Sequence, residues 1–234
     1  MKHMKLRTAP AALAALFALS IPAAALAHGG MRTGVSPAIA LSSAGAIVTL
    51  EGAARGAALA RANAALNSVS TLQGRFVQTG PDGSRIGGDF YMQRPGKLRF
   101  EYDSPATMLI VSDGRVVAMR DTALRTTDRI PLESTPLNLV LRSDIDLARD
   151  ARITRVAQDG SAILVTARDR RGLADGQITM RFEGANLALR SWDIVDATGA
   201  RTQISLVGLT QPASLDRRLF RLEDMLEYRP GPRR

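Results

Sequence analysis

The chain has 234 residues, 45% of them hydrophobic but only 4% aromatic, with no cysteine, two histidines and a formal charge of +9. The absence of cysteine excludes a disulfide framework, a thiolate metal site and a lipobox. His28 is the only histidine beyond the first 27 residues, which removes Ser-His-Asp triads and histidine metal sites.

The chain opens as an export signal. Lys2, Lys5 and Arg7 precede an apolar run over 9–25, broken only by Pro10, Ser20 and Pro22, and Ala25-Leu26-Ala27 has the A-x-A form that signal peptidase cuts. The expected cut follows Ala27 and places the protein in the periplasm. The run is too short and too proline-broken for the ~20 apolar residues of a membrane span. Cleavage removes three cations and leaves 28 basic against 22 acidic residues, a net +6. These cations are spread singly along strands, so a solvated surface explains them, and export argues against nucleic acid as a partner.

Residues 28–50 are small and uneven in character and are read as a poorly ordered extension. The alanine-rich stretch from Ala53 to Asn67 favours helix, and Leu59, Ala62, Leu66 and Val69 fall on one face. The period then changes from 3.6 to 2. Leu72, Gly74 and Phe76 alternate with polar neighbours, as do Ile86, Gly88, Phe90, Met92 and Arg94, then Leu98, Phe100 and Tyr102. Met108 to Val111 is continuously apolar and ends at the hairpin dipeptide Asp113-Gly114; Val117 and Met119 follow, then a short strand over 124–129. Pro131 stops the sheet. Thr135-Pro136 has the form of an N-cap followed by proline at the first helical position, ahead of Leu137, Leu139, Val140 and Leu141. After a turn-prone stretch over 144–150, strands resume near Ile153 and recur at 163–165, 178–182, 187–195 and 204–209.

About ten or eleven strands joined by tight turns give a mainly β protein, an antiparallel sheet curled into a barrel or half-barrel and interrupted by two helical segments. Nothing argues for catalysis. The carboxylates sit in turns or alternate outward, and Asp144 and Asp146 lie in a charged linker. The expectation is a protein that is not an enzyme and needs no cofactor or metal. Phe90, Met92, Phe100, Met108 and Met119 either fill a core or line a cavity for a flexible apolar ligand. Arg94 poses a sharper question, since alternation puts it at the end of an apolar stripe. Either it is buried and paired with carbonyl groups of a segment packed over the opening, or the strand ends at Met92 and Arg94 turns into solvent.

The series "LNSVSTLQGRFVQ" (66–78), "GGDFYMQRPGKLRFEY" (87–102), "MLIVSDGRVVAM" (108–119) and "STPLNLVLR" (134–142) resembles the LolA-type outer-membrane lipoprotein carriers, in order, over most of 58–225. That resemblance implies an incomplete antiparallel barrel whose helices form a lid over an apolar cavity, taken to occupy 51–226; the 28–50 extension and the basic tail over 227–234 have no match in it. It implies a monomeric carrier that shields the acyl chains of lipoproteins. Such a carrier receives them from an inner-membrane ABC transporter and delivers them to an outer-membrane acceptor that the residues do not identify. Arg94 matches the family's arginine linking barrel to lid. The candidate lining is then Phe76, Ile86, Phe90, Met92, Leu98, Phe100, Met108, Ile110, Val117 and Met119, and the candidate lid residues are Leu59, Leu66, Leu137, Leu139, Val140 and Leu141. The chain departs from such carriers in its scarcity of aromatics, with Trp192 its only tryptophan. Two alternatives stand beside this reading: a periplasmic lipid-binding stress sensor, or a carrier of another apolar lipid.

Overall fold

The computed structural model describes residues 46–172 and 175–225. The expected signal peptide, most of the 28–50 extension and the basic tail lie outside the described residues.

Twelve strands form one antiparallel sheet: β1 (Val48–Thr49), β2 (Thr71–Thr79), β3 (Arg85–Gln93), β4 (Lys97–Tyr102), β5 (Met108–Asp113), β6 (Val116–Asp121), β7 (Thr126–Pro131), β8 (Ala151–Asp159), β9 (Ala162–Asp169), β10 (Gln177–Glu183), β11 (Ala188–Val195) and β12 (Arg201–Thr210). Their order is β1-β8-β9-β10-β11-β12-β2-β3-β4-β5-β6-β7, so β1 and β7 are its two edges and the sheet does not close. Eleven strands correspond to expected ones, although β7 runs over Thr126–Pro131 rather than 124–129. The twelfth, β1, is a two-residue pairing with β8 that no periodic signal marks. The pairing of β12 with β2 joins the two halves of the chain, setting Leu206 opposite Phe76.

The inner face carries the core. Phe76, Phe90, Phe100 and Tyr102 are almost fully buried. Phe76 packs edge-on against Phe100 at 4.9 Å and Tyr102 at 5.0 Å between ring centres. The Tyr102 hydroxyl donates to Gln78 Oε1 at 2.7 Å, and complete burial pushes its pKa up. Gly88 makes room for this cluster. It sits between Phe76 and Tyr102 in the ladder, and a Cβ there would run into the Glu101 carbonyl oxygen and the Phe76 ring. Gly88→Ala is therefore expected to lower stability by about 1–3 kcal/mol, read as a lower urea midpoint at constant slope. An unchanged midpoint would show that the ring and strand yield without cost.

The continuously apolar run in β5 has a simple cause, burial on both faces. Ile110 faces the inner core, whereas Leu109 and Val111 join Ala118, Leu222 and Met225 in a second cluster on the outer face. The segment after β12 crosses that face, and Arg99 donates to the Leu219 carbonyl at 3.3 Å while pairing with Glu101 at 3.0 Å.

Among the described residues three α-helices interrupt the strands: α1 (Gly52–Asn67), α2 (Asn138–Leu141) and α3 (Leu147–Asp150). Helix α1 buries Ala58, Leu59, Ala62 and Leu66 against the inner face, the side expected from their spacing. Two expectations are corrected here. Thr135 does not cap α2, because its hydroxyl donates back to the Leu132 carbonyl at 2.8 Å and Leu137 occupies the N-cap position. The 144–150 stretch is not merely a turn: Asp146 caps α3 by accepting from the amides of Ala148 and Arg149, and Asp144 pairs with Arg149. Asp146 is thereby committed to backbone.

Candidate functional site: an apolar cavity under two helices

The site is built around the turn between β3 and β4. Strand β3 ends at Gln93, one residue later than the exposed alternative for Arg94 required. Arg94 keeps its inward direction and is half-buried. Its Nε donates to the Val140 carbonyl at 3.0 Å, and its Nη1 donates to the carbonyls of Val69, at 2.9 Å, and Leu66. These acceptors belong to the C-terminal ends of α1 and α2, where helices leave carbonyls without intrahelical partners and favour a cation. One guanidinium thus joins both helices to the sheet. Burial pulls its pKa down to about 10, which leaves it charged at neutral pH. The neighbouring Gly96 amide adds a bond to the Leu141 carbonyl at 2.7 Å.

Two asparagines tie the helical segments to each other. The Asn67 amide donates to the Ile145 carbonyl at 2.8 Å and its oxygen accepts from the Ile145 amide at 2.9 Å; Asn63 accepts from the Leu147 amide at 3.1 Å. Sequence reasoning missed both. Polar residues on an alanine-rich helix look like an ordinary solvated face, and only their long-range partners give them a role.

Beneath this cover lies a cavity of about 210 Å³. Phe90, Met92 and Leu98 form part of its floor, and Leu66, Leu137, Val140 and Leu141 form part of its roof, together with Arg94. The other candidate lining residues lie elsewhere. Phe76, Phe100, Ile110, Val117 and Met119 are close-packed core, and Ile86 and Met108 are partly buried against it. Leu59 and Leu139 are buried on the cover but do not reach the cavity. The reason is the position of the cover, which leaves free volume only beside the β3–β4 turn. Much of the remaining wall comes from residues not anticipated, among them Leu72, Trp192, Leu206 and Leu209, with Val69 just past the end of α1. Alternation marks Trp192 in β11 and Leu206 in β12 as inward, whereas Leu209 is out of phase with Leu206 and reaches the cavity through the register shift between Val207 and Thr210. Only the β12–β2 pairing brings them to Phe90.

A more open groove of about 640 Å³ adjoins the cavity, sharing Ala65, Val69, Ala188 and Gln211 with it and adding Arg61, Ser68 and Asn186. Among the described residues, no carboxylate lines either space, and no group of three or more His, Cys, Asp and Glu residues could hold a metal ion.

An open antiparallel sheet with helices covering an apolar cavity on its inner face defines a class of half-barrel ligand holders. Within that class the chain belongs to the LolA family of outer membrane lipoprotein carrier proteins, whose model matches residues 67–223. An outer-membrane lipoprotein carrier protein of Methylibium petroleiphilum is 29% identical over 180 residues, spanning 73% of this chain and 87% of that protein. Its counterpart in Methylococcus capsulatus is 32% identical over 167 residues, spanning 66% of this chain and 78% of that one. A crystal structure of a LolA superfamily protein from Nitrosomonas europaea covers 73% of this chain and 98% of its own, at 9% identity and a TM-score of 0.44.

Proposed function

We propose that this protein is a periplasmic carrier that shields the acyl chains of lipoproteins. In this reading it takes them as a monomer from an inner-membrane ABC transporter and passes them to an outer-membrane acceptor. The observation that carries the reading is an apolar cavity roofed by two helices that a single guanidinium holds at their carbonyl ends. The family membership and the names of the relatives support it.

The closed cavity is smaller than the roughly 300–1,000 Å³ of typical ligand pockets. Acyl chains must therefore displace the roof, and loading competes with closure. That competition is useful. Burying each CH₂ is worth ~0.8 kcal/mol, so full enclosure of several chains would hold cargo by an amount on the order of tens of kcal/mol and prevent delivery. Closure opposes that grip by the free energy of the Arg94 bonds and of the apolar roof.

A release assay tests the proposal. Spheroplasts carrying a labelled outer-membrane lipoprotein are incubated with the purified protein, with buffer alone as the control. The expected result is a soluble one-to-one complex with the lipoprotein. Retention of all label in the membrane, with another lipid extracted from natively purified protein, would replace the cargo and keep the cavity.

A further inference from the structure

Trp192 stands out in the cavity wall. It is 2% exposed, and its ring packs against Phe90 and Phe100 at 6.4 and 6.3 Å between centres. Its indole nitrogen is buried without a hydrogen-bond partner. An indole N–H can only donate, and a buried donor left unsatisfied costs free energy that native proteins rarely tolerate without cause. The other polar side chains of the wall are differently placed: Arg94 is occupied by the roof carbonyls, whereas Arg190 and Gln211 border the cavity with Gln211 shared by the open groove. Trp192 is therefore a buried donor without a partner in a mainly apolar wall.

We propose that the Trp192 N–H binds an ester carbonyl oxygen of the cargo, so that the cavity selects acyl esters over hydrocarbon chains of equal length. The inference rests on the acyl-binding reading above and names the polar atom that reading lacks. Strand β11 supplies the geometry. Ala188 borders the open groove, Arg190 follows at the cavity wall, and Trp192 lies further along the same strand. A glyceryl ester seated at Trp192 would leave its polar part directed along Arg190 and Ala188 toward the groove. The carbonyl would satisfy the indole while the chain displaced the roof.

The test uses two ligands of matched length and head, monopalmitoylglycerol and 1-O-hexadecylglycerol. The ether oxygen of the second is a much poorer acceptor than a carbonyl. The mature protein is expected to bind the ester about fivefold more tightly than the ether, the advantage of one net hydrogen bond. Affinities are read by displacement of a fluorescent fatty-acyl probe. Trp192→Phe keeps an aromatic ring and removes the donor, and should bring the ester-to-ether affinity ratio within the variant to about one. Because Trp192 is the only tryptophan, its indole proton gives a single NMR resonance in the unaltered protein. Saturation with the ester should move that resonance downfield, and saturation with the ether should not. Equal binding of ester and ether, an indole resonance that responds alike to both, or a preference that survives in Trp192→Phe overturns this proposal and leaves the acyl cavity standing. Binding of neither ligand overturns both.

Discussion

Replacing Arg94 with leucine is expected to open the helical roof while leaving the sheet folded. The substitution removes every bond by which the guanidinium holds the carbonyls of Leu66, Val69 and Val140. Bonds from a charged donor net about 1.5–3 kcal/mol each, but leucine also escapes the cost of burying a charge, so the closed state should lose about 2–3 kcal/mol overall. That corresponds to roughly a 30- to 150-fold rise in the open population. Hydrogen exchange reads it directly, since the amides of Val140, Leu141 and Gly96 are bonded within the roof or to it. Their protection should fall by about that factor, whereas amides in β3 and β4 should keep theirs. Cargo should bind more tightly and leave more slowly, because apparent affinity rises with the fraction of molecules competent to bind. Unchanged exchange at Val140 and Leu141 would show that Arg94 does not hold the roof. A uniform loss across the strands would make it a residue of the fold rather than of the latch. With its pKa near 10 the guanidinium stays charged at neutral pH, so closure should be flat there.

What could be read in advance, and what could not, follows from the range of each signal. Alternation is local, so β2, β3, β4, β6 and the inward direction of Arg94 were legible from a count by twos, and β5 from its unbroken apolar run. The face of α1 that carries Leu59, Ala62 and Leu66 was legible from a count by threes and fours. The position of free volume is not local. It depends on where α1 and α2 settle, which left Ile110, Val117 and Met119 in packed core and put Leu206 and Leu209 at the cavity. Asn63 and Asn67 were opaque for the same reason, because their partners are 84 and 78 residues away. Thr135 misled in another way. Its sequence context suits a cap, yet in the 3₁₀ turn that precedes α2 its hydroxyl finds the Leu132 carbonyl closer to hand.

Phe100→Ala and Leu141→Ala should separate scaffold from roof, although both side chains are at most 1% exposed. Phe100 lies at the centre of the inner face, with Phe76, Phe90 and Trp192 at 4.9, 5.3 and 6.3 Å. No motion short of unfolding β4 exposes it, so its truncation should cost global stability about 3–5 kcal/mol through lost transfer free energy and the cavity left behind. The urea midpoint falls accordingly. Leu141 ends α2, and its truncation removes a similar apolar contact worth about 2–5 kcal/mol. If the roof opens as its own unit, much of that loss falls on closure and is not added again on unfolding. Exchange at Val140 and Leu141 should then accelerate strongly while the urea midpoint moves less than in Phe100→Ala. The contrast decides whether the protein has a moving part at all. Equal drops in midpoint, with roof amides exchanging only through global unfolding, would make α2 a fixed portion of the core. The Arg94 bonds would then be structural, and no latch would be available to oppose the grip of the cavity on acyl chains.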